Sequence, residues 1–81
     1  MTTLRNETRK KDLSNRLAKV EGQLRGIRKL MEADADCEKI AQQMAAARKA
    51  LDKTFFSMVG CMVQDKHLPI EKITQMLVKL A

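Results

Sequence analysis

Apolar residues recur along this chain with a helical period. In the first segment Leu13, Leu17, Val20, Leu24, Ile27 and Met31 follow one another at spacings of 4, 3, 4, 3 and 4. Such spacing writes an a/d seam on an α-helix. Asp12 or Ser14 suits its start, and the preceding "TTLRNETRKK" reads as a loose basic arm within residues 1–11. A second seam runs through Cys37, Ile40, Met44, Ala47, Leu51, Thr54, Met58 and Cys61. The segment "EADADCEKI" breaks the first seam and opens the second, with Asp34 or Asp36 as the N-cap and acids suited to a helix N-terminus. Gly60 weakens the end of this helix but would permit close approach of another backbone. After "VQDKHLP", where Pro69 suits a first helical turn, Ile70, Ile73, Leu77 and Leu80 form a third, short stripe. The pattern predicts an all-α chain of three helices forming one domain over residues 1–81.

Eighty-one residues make a small core, and chains of this size are usually supplemented by oligomerisation, metal or disulfides. There is no Trp or Tyr and only Phe55 and Phe56 are aromatic, so the core is aliphatic and helix packs on helix, in part between chains. No signal-peptide pattern and no apolar run of about 20 residues is present. The expectation is a cytoplasmic protein without a membrane partner.

The net charge of +6 is unevenly placed. Residues 1–29 carry nine Lys or Arg against three acids, and residues 30–81 carry seven of each. A basic segment on a neutral body points to a polyanion, with nucleic acid ahead of membrane. A solubilising face is the plainer account of the same charges. An enzyme is not expected: with one His, there is no Ser/His/Asp arrangement, phosphate loop or apolar pair of acids.

The two cysteines, Cys37 and Cys61, lie 24 positions apart on the second seam. On one straight helix they stand about 36 Å apart, at roughly 1.5 Å per residue, so they cannot meet within a chain. Two copies packed antiparallel along the seam would cross near residue 49 and bring Cys37 of one to Cys61 of the other, twice by symmetry. Inert packing is the competing account, since cysteine is a good small buried residue. His67, the single histidine, reads as a surface loop residue as well as a ligand candidate, and the methionines on the seams read first as core filling.

The stretch "LSNRLAKVEGQLRGIRKLMEADADCEKIAQQMAAARKALDK" resembles the CsoR/RcnR/FrmR family of bacterial transcriptional repressors. The resemblance covers about residues 12–53 and rests on "RL–KVEGQLRGI", "D–DC" and "QQ–AA–R–AL" in that order and spacing. It implies an antiparallel helical dimer that pairs into a tetramer. It also implies a repressor that binds operator DNA and releases it when an intersubunit cysteine site is modified. Cys37 then matches the sensing cysteine, Arg16 a DNA-contacting arginine, and Lys53 a second basic position. The DNA-contacting candidates are Arg16, Lys19, Arg25, Arg28, Arg48, Lys49 and Lys53, acting mainly on phosphates.

The chain departs from the family's pattern where the effector is read. Copper sensors carry a His 25 positions after the first cysteine and a second Cys 29 after it. Here those positions hold Met62 and Lys66. Other members use groups beside Met1, where this chain has Thr2 and Thr3. Cys37 and Cys61 without that His suit a thiol or persulfide sensor, in which reactive sulfur or an oxidant links the two chains. The alternative is a Cu(I)-responsive repressor with Cys37, Cys61, Met62 and His67 as candidate metal ligands. A different class, a basic helical protein-interaction module with no DNA role, is the further alternative.

Overall fold

The computed structural model describes residues 3–65 and 67–81. They form three helices, α1 (Glu7–Glu32), α2 (Cys37–Val63) and α3 (Ile70–Leu80), with no strand among the described residues. Thr2 and Lys66, two positions that bear on the family's pattern, lie outside the described residues.

Helix α1 starts earlier than Asp12 or Ser14. Asn6 is its N-cap, the side-chain oxygen accepting a hydrogen bond from the Arg9 backbone N–H at 3.1 Å. Asn is among the best capping residues and Glu7 in the first turn complements the helix dipole. Residues 7–11, expected in a loose arm, are therefore helical. The apolar seam could not signal this turn because no apolar residue lies between Leu4 and Leu13. At the other end Asp34 adopts φ 55°, and two backbone bonds close the turn: Ala35 N–H to Leu30 O at 2.9 Å and Asp34 N–H to Met31 O at 3.2 Å. This is a Schellman close with Asp in the left-handed position, which a short polar side chain tolerates better than most.

Asp36 then occupies the N-cap of α2 through its backbone, its carbonyl accepting from Ile40 N–H at 3.1 Å without a side-chain capping bond. At the C-terminal end of α2 Asp65 organises the connection, its carboxylate accepting from His67 N–H at 2.8 Å and its carbonyl from Leu68 N–H at 3.2 Å. Pro69 is the N-cap of α3, one position before the first turn.

Helices α1 and α2 pack side by side, and α3 packs on α2 through Ile73. The result is a slab of 50 × 28 × 16 Å with a radius of gyration of 16.1 Å. A compact chain of this length would have roughly 12 Å, so the molecule is one helix layer thick. Burial divides each seam in two. On α1, Leu13, Val20 and Ile27 are 5–6% exposed, while Leu17, Leu24 and Met31 are 45–54% exposed. On α2, Ala47 and Thr54 are buried, while Met44 and Leu51 are each 47% exposed. The Thr54 hydroxyl is accommodated by donating to the Ala50 carbonyl at 3.0 Å. A Cβ added at Gly60 would meet nothing within 4 Å, so no close backbone approach occurs there within the chain.

Candidate functional site

The heptads of α1 and α2 organise the site residues by phase. Each exposed seam residue follows a residue of the inward row by four positions: Leu17, Leu24 and Met31 on α1, Met44 and Leu51 on α2, with half-buried Met58 in the same phase. At roughly 100° per residue this is a turn of about 40° in the same sense on both helices. In two antiparallel right-handed helices that face each other, the same sense leads to one common surface. The slab therefore has one apolar face, and Cys37, seven positions before Met44, is exposed on it.

The seven basic candidates, all exposed, divide by the same reasoning. Lys19 and Lys53 each precede a buried-row residue by one, and Arg16 follows one by three. These phases, about 60–100° in the opposite sense, put the three on the face opposite the apolar one. Lys49 lies on the back of α2, toward that same side. Arg28 and Arg48 each follow a buried-row residue by one and border the apolar face. Arg25 is nine positions from Arg16, about 180° around α1. One continuous basic face within a chain thus comprises Arg16, Lys19 and Lys53, with Lys49 at its edge. Arg16 is held in place by an exposed i,i+4 pair with Asp12, Nε to Oδ2 at 3.0 Å.

Three of the four effector candidates come together. Cys61, Met62 and His67 line one open groove of about 540 Å³ where α2 ends, with Met58 beside them. Cys61 is half-buried because it continues the row Ala47–Thr54 that faces α1. Cys37 is absent from this groove, lying at the opposite end of the 27-residue helix. Among the described residues no group of three His, Cys, Asp or Glu side chains could hold a metal within one chain. The donors that do converge are soft, one thiol and two thioethers with an imidazole near them. That chemistry fits Cu(I) rather than a hard cation, and Cys37 of the same chain is out of reach of it.

Sequence reasoning missed the other wall of the groove. Arg5, Asn6 and Arg9 line it from the start of α1. Asn6 and Glu7 were the available signal, because an Asn cap followed by an acid marks a helix start. Once α1 begins at Glu7, Arg9 joins the heptad row that continues through Arg16.

The described residues thus form three helices, with one apolar and one basic face and a thiol toward each end of the longest helix. Residues 9–80 match the family model described as metal-sensitive transcriptional repressor. The chain belongs to this family. It is 35% identical over 69 residues to the copper-sensing transcriptional repressor RicR of Mycobacterium tuberculosis (strain ATCC 25618 / H37Rv), an alignment that covers 84% of this chain and 67% of the relative. No solved structure matches the chain. None of the helices in the described residues is long and apolar enough to cross a membrane.

Proposed function

We propose that this protein is an operator-binding transcriptional repressor whose DNA affinity is lowered when Cu(I) occupies a thiol site built between two protomers. The observation that carries this reading is the convergence of Cys61, Met62 and His67 in one groove, with Cys37 exposed on the apolar face of the same helix. The family's description and the copper-sensing relative support a soft metal as the effector.

The apolar face explains the pairing. Leu17, Leu24, Met44 and Leu51 are about half exposed on a slab only one helix thick. Covering them with a second copy removes that surface from water, at about 25 cal/mol per Å². Antiparallel packing of two α2 helices about their midpoint sets Cys37 of one protomer against the Met58–Cys61 end of the other. The ligands proposed for Cu(I) are Cys37 from one chain with Cys61, Met62 and His67 from its partner. Bound there, the metal would join two chains through soft donors. Assembly of such dimers into a tetramer follows the family resemblance.

DNA contact falls to Arg16, Lys19, Lys49 and Lys53, since their face is opposite the apolar one and stays open after pairing. These cations act on phosphates, so affinity falls steeply with salt. Sequence discrimination then comes in part from DNA shape. Family membership favours this role over a basic interaction module without DNA.

A second reading, sensing of reactive sulfur or oxidant, is favoured by Met62 standing where copper sensors keep a histidine. In that case Cys37 and Cys61 of two chains become linked through sulfur. One experiment separates the two. The reduced protein is bound to a duplex from the region upstream of its own gene, then titrated with Cu(I) or with polysulfide. Release by Cu(I) that a chelator reverses supports the copper reading. Release by polysulfide with a covalent dimer on non-reducing gels supports the second. Failure to bind any such duplex would overturn both.

A further inference from the structure

The groove at the end of α2 combines soft and cationic groups in a way that neither a buried metal site nor a packing seam requires. It is lined by Cys61, Met58 and Met62 from the end of α2 and by Arg5 and Arg9 from the start of α1. Among the described residues the only ion pair is Arg16–Asp12, so neither Arg5 nor Arg9 is paired with an acid of its own chain. Asp65 is the one carboxylate on the groove, and its oxygen accepts the His67 N–H at 2.8 Å rather than pairing with an arginine. Arg5 Nε donates to Thr3 Oγ1 at 3.0 Å, which leaves its terminal nitrogens as donors. Arginine forks of this kind suit carboxylates and other small anions. The groove volume, about 540 Å³, is within the roughly 300–1,000 Å³ of small-molecule sites.

Cys37 is in the opposite setting. It is exposed and follows Asp34 and Asp36, with Glu38 next in sequence. Within one chain the two thiols therefore lie in settings of opposite local charge.

We propose that the groove over Cys61 admits its effector as a small anion bearing a soft sulfur atom, with the anion's charge held by Arg5 and Arg9 while the sulfur, or a metal it carries, meets Cys61. This rests on the reading of Cys61 as part of the effector site. A carboxylate-bearing disulfide, or a carboxylate-bearing thiolate complexed to Cu(I), has the required chemistry. A neutral or cationic thiol does not.

The test compares thiol–disulfide exchange at each cysteine in single-thiol variants of the full-length chain, C37S and C61S. Each attacking thiolate forms a mixed disulfide and expels one probe thiolate, so the reaction is followed by the released thiolate. The probes are dianionic dithionitrobenzoate, neutral dithiodipyridine and cationic cystamine, with every rate divided by that of N-acetylcysteinamide. At low salt Cys61 should favour the anionic over the neutral probe by about threefold or more, and Cys37 should show the reverse order. The Cys61 preference should vanish at high salt and in C37S carrying R5Q and R9Q. R5Q alone, which lies ahead of α1 and leaves the helix intact, should reduce it partly. A Cys61 preference equal to the reference thiol's, or one that survives R5Q and R9Q with helical content unchanged, overturns the proposal.

A parallel arm measures duplex release by Cu(I) supplied with a dicarboxylate thiol or with a neutral thiol. Faster release by the anionic complex in the wild type, and equal rates in the R5Q/R9Q protein, support metal delivery by this route; equal rates in both count against it. If C61S still releases DNA with Cu(I), the reading of Cys61 as an effector residue fails, whatever the charge preference. Release that requires Cys61 without any charge preference sinks the anion proposal alone.

Discussion

Cys37 and Cys61 share α2 but not a face of it. Cys37 is exposed in phase with Met44 and Leu51 on the apolar surface, whereas Cys61 continues the row of Ala47 and Thr54 that packs toward α1 and opens into a groove. Their separation along the helix, about 36 Å at roughly 1.5 Å per residue, makes a joint role depend on a second chain. C37S and C61S should each bind DNA but lose its release by Cu(I). Mixing the two variants should restore release in the heterodimers, about half of the population at equal amounts, because each such dimer regains one intact site. Anisotropy of a labelled duplex reads this directly, and no recovery on mixing would overturn the paired site.

The half-exposed Leu24 and Leu51 are expected to lie under the partner. Leu51→Glu should shift the protein to monomer in sedimentation velocity and weaken DNA binding together with it. Phe56→Glu, at a 64% exposed position on the far side of α2, should leave the dimer in place. Wild-type thermal stability should also rise with protein concentration, as association requires. A monomeric wild type at micromolar concentration would remove the basis for the intersubunit site.

Charge removal on α1 and α2 should depend on phase rather than on count. Arg16→Gln and Lys53→Gln should each lower the slope of log affinity against log salt by about one, the effect of removing a single cation from the phosphate backbone. Arg25→Gln, about 180° from Arg16 around the helix, should leave the slope nearly unchanged. Asp12→Asn, by releasing Arg16 from its 3.0 Å ion pair, should strengthen binding modestly. Equal effects of Arg16→Gln and Arg25→Gln would show that the basic face is drawn wrongly.

The start of α1 can be tested by its cap. Asn6→Ala removes the bond to the Arg9 N–H and should cost about 1 kcal/mol in chemical denaturation. Ile27→Ala, at a 5% exposed position, should cost about 2–5 kcal/mol as a core truncation. A cap mutation without effect would return residues 7–11 to the status of an arm.

Much of this was legible along the chain. The seams at spacings of three and four named three helices, and the break at "EADAD" was visible because acids and small residues interrupt the apolar rows. The early start of α1 was not legible from the seam, since a cap acts through one hydrogen bond and leaves no apolar mark. The groove was hidden for a related reason. Arg5 and Arg9 lie more than fifty positions from Cys61, and only the antiparallel return of α2 along α1 brings them together.

The sequence by itself determined helix type, helix number and the placement of both cysteines on one seam, because a 3.6-residue period fixes which positions share a side. It could not separate the seam into its buried and open halves. Positions three and four apart look alike in a pattern of apolar letters, yet they diverge by about 100° around the helix axis. Only packing α1 on α2 decided that Leu13, Val20 and Ile27 turn inward and Leu17, Leu24 and Met31 outward. The same choice placed Cys61 in a groove beside two arginines and left Cys37 on the open face.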